Sequence, residues 1–485
     1  MKRALAFLLA CILLSILLPA AMAEEDPPER YKCGEWRYII REDGSAEIDN
    51  YLGDLSCPII PEKLDGRTVT SLGYGAFFWK SNLTGVVFPD TITRIGDRAF
   101  CGCSAITSIR IPDTVTEVGY NPFDYCKNLK EIIVSPDHPT LSAIEGILFS
   151  KPDKRLVCCP SQFSYESLQV PKGIKIIGNY AFSYCEHLKS IVLPDSVSVI
   201  GEGAFTGCKS LTSMILPDSV TSIGNRAFDE CFKLASISIP EGVTSIGDSV
   251  FASCFALKSI TFPDSVAFLG SNPAPTTENL EFNVSLDHPY LAVIDGVLFS
   301  KPDKRLICYP RSKASESYEI PDGIRIIGEG AFFTNYFIKH ISIPNSVTTI
   351  EPFAFMGCAS IQEMELPESI RSIGDSAFRE CGSITSISIP DGITVIEGGT
   401  FCFCGSLSNV DIPDSVTSIG GYAFHTCKSL RSITFPENVT AIGEDIFYGC
   451  EDVTVTVFRN SYAEQYCREN DIKYIYPDTY DWLNE

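Results

Sequence analysis

Residues Leu211 to Lys233 read LTSMILPDSVTSIGNRAFDECFK. Period-2 alternation in the opening segment turns Met214 and Leu216 inward and leaves Thr212 and Ile215 outward, the pattern of a short half-buried strand. Pro217-Asp218-Ser219 then turns the chain, because proline presets the backbone dihedral of a turn and donates no ladder hydrogen bond. Val220 and Ile223 re-enter the core, Gly224 permits a tight bend, and Ala227-Phe228 fill the far side.

The same unit recurs on both sides. Prolines stand 23 residues apart at Pro194, Pro217, Pro240 and Pro263, and again from Pro321 through Pro344, Pro367, Pro390 and Pro413 to Pro436. Phenylalanines keep that step from Phe182 to Phe251 and from Phe332 to Phe447, and a cysteine follows most of them by three residues, as in Cys208, Cys231 and Cys254. A strict period in the twenties specifies a solenoid, each coil burying the apolar face of the one before.

The full unit, L-x-S-I-x-I-P-D-S-V-T-S-I-G-x-x-A-F-x-x-C, resembles the BspA-type (Treponema-type) leucine-rich repeats of bacterial surface proteins, from about Val69 to Cys450. The resemblance implies a leucine-rich-repeat solenoid of the α/β-type repeat class, β-dominated. It would have a single parallel β-sheet and irregular or short helical far sides. It also implies an exported protein with an adhesive or binding role.

The expected organisation is a signal peptide at 1–23, an N-terminal cap at 24–68, the solenoid at 69–450 and a C-terminal cap at 451–485. Met1-Lys2-Arg3, the apolar run Ala4–Leu18 and the small residues ending at Ala23 form a secretory leader with cleavage after Ala23. The apolar core is too short for a membrane anchor. Trp36 to Ile48 reads as a hairpin around Asp43-Gly44. Ser461 to Glu464 has the spacing of a capping box, opening a short helix with Tyr462, Ala463 and Tyr466 on one face. Two units, at about 132–171 and 282–321, depart from the repeat. Each carries a His-Pro turn (His138, His288) and a strand, Lys-Pro-Asp-Lys turn, strand sequence, read as a hairpin added to a coil.

With 38 Lys+Arg against 61 Asp+Glu, the chain has a formal charge of −23. That excludes nucleic acid as a natural partner, since phosphate neutralisation needs a basic surface. No stretch after the leader is long enough to span a bilayer.

The repeated cysteines admit disulfide rungs, a metal column or plain burial. Parallel stacking rarely gives disulfide torsions, and C-x-C pairs such as Cys101–Cys103 and Cys402–Cys404 lie too far apart to build zinc sites. Asn335, standing in a cysteine position, favours a small buried side chain that bonds to backbone. Export permits a Cys33–Cys57 disulfide in the N-terminal cap, whereas an anaerobic host would leave it open. His187 and His425 lie two residues from Cys185 and Cys427, but a buried protonated thiol makes a poor nucleophile. The aspartates after the prolines are turn residues. No catalytic residue, cofactor or metal site is expected.

Binding is expected on the outward strand positions Arg110, Lys189, Thr212, Lys258, Thr261, Lys339 and Arg431. The hairpin tips Lys151, Lys154, Arg155 and Lys301, Lys304, Arg305 are the second candidate. The strand face is rich in Ser and Thr and nearly free of aromatics, which suits an extracellular or host protein or glycoprotein better than a sugar platform. The expected function is non-catalytic binding, secreted or at the cell surface, with adhesion first. A passive envelope or matrix scaffold is the rival, and a carbohydrate-associated or enzymatic role outside the repeats is third.

Overall fold

The computed structural model describes residues 28–477; the leader and the acidic end from Asp478 lie outside the described residues. The expected parallel-sheet solenoid forms, with one addition. Each coil contributes strands to two parallel stacks. In the first, Ser213–Ile215 pairs with Ser236–Ser238, so that Met214 lies beside Ile237. In the second, Ser222–Ile223 pairs with Ser245–Ile246. The Thr-Ser-Ile segment is therefore strand as well as core, because only one of its residues, Ile223, turns inward while its backbone stays free to pair.

The far side is neither sheet nor helix. Two residues per coil, four apart, hold left-handed backbone: Tyr180 and Tyr184 both have φ of 57°. A right-handed helix cannot pass through such positions. Alternate N–H groups bond to the next coil instead, from Tyr180 to Glu202 (2.7 Å), Phe182 to Ala204 (2.8 Å) and Tyr184 to Thr206 (2.8 Å). Gly224 is required by close approach: a Cβ there would lie 2.5 Å from the backbone nitrogen of Glu202 in the preceding coil.

The core is a column of rings. Phe182, Phe205, Phe228 and Phe251 stack at centroid distances of 5.1, 5.3 and 5.9 Å, within 7° of parallel. Each buried ring contributes about 1.5–3 kcal/mol by transfer. The inward alternation holds, with Met214 and Leu216 buried and Ile215 exposed.

The two modified units cross the core as walls. In the first, antiparallel strands Leu141–Ile144, Ile147–Ser150 and Arg155–Cys158 pair in sequence, and the last joins the second stack through Ile176–Ile177. Both faces of this wall are buried. Leu148, Val157 and Cys158 pack on the N-terminal core, while Ile147, Phe149, Leu156 and Cys159 pack on the middle one. Leu298, Ile307 and Cys308 against Val297, Phe299, Leu306 and Tyr309 repeat the arrangement between the middle and C-terminal cores. Because a wall has no far-side loop, the coils flanking it meet directly: Asn121 Nδ2 donates to the carbonyl of Tyr180, 59 residues on, at 2.6 Å.

His138 and His288 hold the turns leading into the walls. His288 is fully buried. Its Nδ1 accepts from the N–H groups of Tyr290 (3.2 Å) and Leu291 (3.0 Å), and its Nε2 donates to the carbonyl of Pro263 at 3.0 Å. These contacts assign the neutral Nε2–H tautomer.

At the N-terminus, Trp36–Ile40 pairs antiparallel with Ala46–Tyr51, which itself pairs in parallel with Arg67–Leu72. At the other end the helix Tyr462–Glu469 is capped by Ser461, whose hydroxyl accepts from the N–H of Glu464, and it buries Ala463 and Cys467. Tyr466 is only half-buried and Tyr462 is exposed, so the buried face sits one residue further round than the sequence pattern implied.

Candidate binding surfaces

Of the expected outward strand positions only Arg110 and Thr261 lie on strands; Lys189, Thr212, Lys258, Lys339 and Arg431 stand one residue before theirs, because those strands hold just three residues about one inward side chain. Arg110, Lys189, Thr212, Lys258, Thr261 and Arg431 are exposed, and Lys339 is half-buried. Much of their charge is already engaged. Lys189 pairs with Glu166 at 2.6 Å and Lys339 with Glu316 at 2.7 Å. Arg431 donates to the carbonyls of Lys428 and Glu451 at 2.9 and 2.7 Å, and Thr212 to that of Lys189 at 3.3 Å. Arg110 and Lys258 make no such side-chain bond or ion pair among the described residues. On the same stack, Val192 and Ile215 stand 59% and 76% exposed in neighbouring coils, an apolar strip among hydroxyls.

The hairpin tips are more tied down than their sequence suggests. Lys151 and Lys301 donate to the carbonyls of His138 and His288, each at 2.5 Å, bracing the His-Pro turns. Arg155 pairs with Asp153 at 2.9 Å and donates to the carbonyl of Val118. Arg305 engages Glu351 and Asp303. Lys154 and Lys304 remain exposed at the tips, both with φ of 54°.

The cysteines form a structural column. Cys208, Cys231 and Cys254 donate Sγ–H to the carbonyls of Phe182, Phe205 and Phe228 at 3.1–3.2 Å. Thr277 fills the same role toward Phe251 at 2.6 Å, whereas Asn335 accepts from the N–H groups of Phe337 and Ile338 instead. Burial pushes the Cys231 thiol well above its ordinary range and that of Cys358 up to about 12. All cysteines among the described residues are free, including half-buried Cys33 and exposed Cys57. Cys427, the partner in one conceivable dyad, bonds to the carbonyl of Phe401 at 3.2 Å. His425 instead lies among Phe403, Tyr422 and Tyr448. Among the described residues no cluster of three or more metal-ligating side chains occurs.

The sequence reading missed an aromatic cluster on the loop side. Trp79, Tyr125 and Tyr184 each stand two residues after a column phenylalanine. Trp79 and Tyr125 lie 6.0 Å apart between ring centroids, tilted 44°. Tyr125 and Tyr184 lie 4.4 Å apart, tilted 46°, their hydroxyls 2.6 Å from one another. The common offset was a readable signal. The Tyr125–Tyr184 contact was not, because it spans a wall.

Known proteins place this architecture. A family model described as BspA type leucine-rich repeat region (6 copies) matches residues 64–154, 157–279 and 325–454. A leucine-rich cell surface protein of Faecalibacterium prausnitzii is similar at 26% identity over 92% of this chain and 98% of its own, with a TM-score of 0.48. The pneumococcal vaccine antigen PcpA is similar at 18% identity over 93% of this chain and 99% of its own, with a TM-score of 0.50. A leucine-rich repeat protein from Bacteroides ovatus matches at 25% identity over 88% of this chain and 100% of its own, with a TM-score of 0.35. No curated protein matches the chain. Among the described residues no helix is long and apolar enough to cross a membrane. With the repeat model matched over more than two thirds of its length, the chain belongs to the BspA-type leucine-rich repeat family.

Proposed function

We propose that the protein is exported through its N-terminal leader, is secreted or displayed at the cell surface, and works there as a non-catalytic adhesin for an extracellular or host protein or glycoprotein. Membership of a family with cell-surface relatives supports the compartment. The observation that carries the binding reading is the first-stack face. Val192 and Ile215 stand exposed there, and Lys258 and Arg110 are left unpaired on a chain of net charge −23. An apolar centre with a few uncommitted charges is the usual make-up of a protein-binding patch.

The test is retention of extracellular-matrix and host-surface proteins on residues 24–485, against a variant carrying Ile215→Asp and Lys258→Glu. Lys189 and Lys339 are poor choices for reversal, since their glutamate partners already neutralise them. A partner held by the wild type and lost by the variant is the expected result. Equal retention by both, or none by either, refutes the strand-face reading and leaves the scaffold role.

A further inference from the structure

The two walls differ where each meets the next coil. Cys159, at the end of the first wall, occupies the place that Tyr309 holds in the second. Each donates its N–H to that coil, Cys159 to Ala181 at 2.7 Å and Tyr309 to Ala331 at 2.8 Å. Tyr309 extends the ring column, stacked on Phe332 at 5.1 Å. Cys159 puts a thiol in the ring's place, and the middle column begins at Phe182, stacked on Phe205 at 5.1 Å. The facing ladder position changes with it: Cys185 accompanies Cys159, whereas Asn335 accompanies Tyr309.

Cys185 also differs from the rest of its ladder. Cys208, Cys231 and Cys254 each make one bond of 3.1–3.2 Å to a carbonyl. The Cys185 thiol lies 3.9 Å from the Cys159 carbonyl and 3.7 Å from that of Pro160. The Cys159 thiol reaches the same Pro160 oxygen at 3.9 Å. Two sulfurs therefore converge on one acceptor, and neither makes a short bond. Burial, and then the facing Cys185 thiol, push the Cys159 thiol well above its ordinary range. Both cysteines are free and both are buried in the middle core. The parallel stacking that keeps ladder cysteines from joining does not apply to them, because Cys159 stands in the ring column and not in the ladder. Neighbouring Cys158 is no rival, since it packs on the opposite face of the wall, in the N-terminal core.

We propose that Cys159 and Cys185 form a cross-linking site, joined as a disulfide that ties the first wall to the coil after it. Both thiols lose their protons and an Sγ–Sγ bond forms. The two electrons pass to a disulfide of the oxidising compartment, whose own S–S bond breaks and takes up the protons as two thiols. Exchange runs through the thiolate, which burial suppresses at Cys159, so the link forms before the coil closes over the wall. Its use in the cell rests on the export reading; its chemistry does not.

The test places residues 24–485 behind a heterologous leader in an oxidising periplasm and, in parallel, in a reducing cytoplasm. Each product is denatured in guanidinium with iodoacetamide and no reductant, then digested with trypsin. In the periplasmic product the peptide Leu156–Lys172 should be joined to the peptide Ile176–Lys189, and dithiothreitol should separate them. In the cytoplasmic product both cysteines should be alkylated. Cys158→Ser should keep the link. Cys159→Ala should lose it, as should Cys185→Asn, which borrows the residue of the second wall. Alkylation of Cys159 and Cys185 in the periplasmic product, or a link that survives Cys159→Ala through Cys158, would overturn the proposal. Because the leader used is not the chain's own, neither result bears on the export reading.

Discussion

The thiol of Cys231 donates to the backbone carbonyl of Phe205, 3.2 Å away in the preceding coil. The carbonyl so satisfied belongs to a residue whose ring sits in the aromatic column, so one small side chain both fills space and closes a backbone valence. Cys231→Ala leaves that carbonyl with the N–H of Cys208, at 3.1 Å, as its remaining donor and should cost about 0.5–1.5 kcal/mol for the lost bond. Cys231→Thr should cost less, because Thr277 already makes the equivalent bond. Denaturant melts of the two variants compare the losses directly.

Thiol chemistry follows from the same column. Exposed Cys57 should react with an aromatic disulfide reagent within minutes in the native protein, and half-buried Cys33 more slowly. Ladder cysteines such as Cys208 and Cys231, whose thiols burial holds protonated, should react only in guanidinium. Rapid labelling of the ladder in buffer would contradict the packing described.

Asp229 makes stability depend on pH. Burial, reinforced by the neighbouring Glu230, raises its carboxyl to about 7 from the ordinary 3.8. Between those values the folded chain holds a proton that the unfolded chain has lost, so stability falls as pH rises through that window. Asp229→Asn should therefore stabilise the protein by about 1–3 kcal/mol at pH 8 and leave it unchanged near pH 4. Thermal melts at the two pH values test it, and a larger gain at the acid end would contradict the sign.

Gly224 and Gly85 should respond oppositely to alanine. A methyl at Gly224 meets the backbone of the preceding coil, while at Gly85 nothing lies within 4 Å. Gly224→Ala should cost at least about 1–3 kcal/mol as the coils are forced apart. Gly85→Ala should be neutral or stabilise by about 0.4–1 kcal/mol.

Much of this was legible from the period alone. Met214 and Leu216 face inward because a strand alternates, and a phase of 23 residues ties coil to coil. The same phase foretells the ion pairs Lys189–Glu166 and Lys339–Glu316, which the reading of the strand face overlooked by treating each lysine alone. The second stack was hidden because two-residue strands leave no alternation to detect. Contacts through the walls were out of reach for a different reason. Asn121 meets Tyr180, and Tyr125 meets Tyr184, at a spacing of 59 residues that belongs to the inserted hairpin and not to the repeat. Lys151 read as a free basic tip because its acceptor, the His138 carbonyl, is placed only by the folded His-Pro turn.

The cross-walls also bear on how the rod answers a pull. Coils that touch only their neighbours detach singly under axial load, each at a small force. A wall resists as a block, since three antiparallel strands with two buried faces and the 59-residue clasp between Asn121 and Tyr180 must release together. Stretched by its ends, the molecule should lengthen in runs of small steps arrested twice, so that damage to one stretch of coils is contained before it reaches the next.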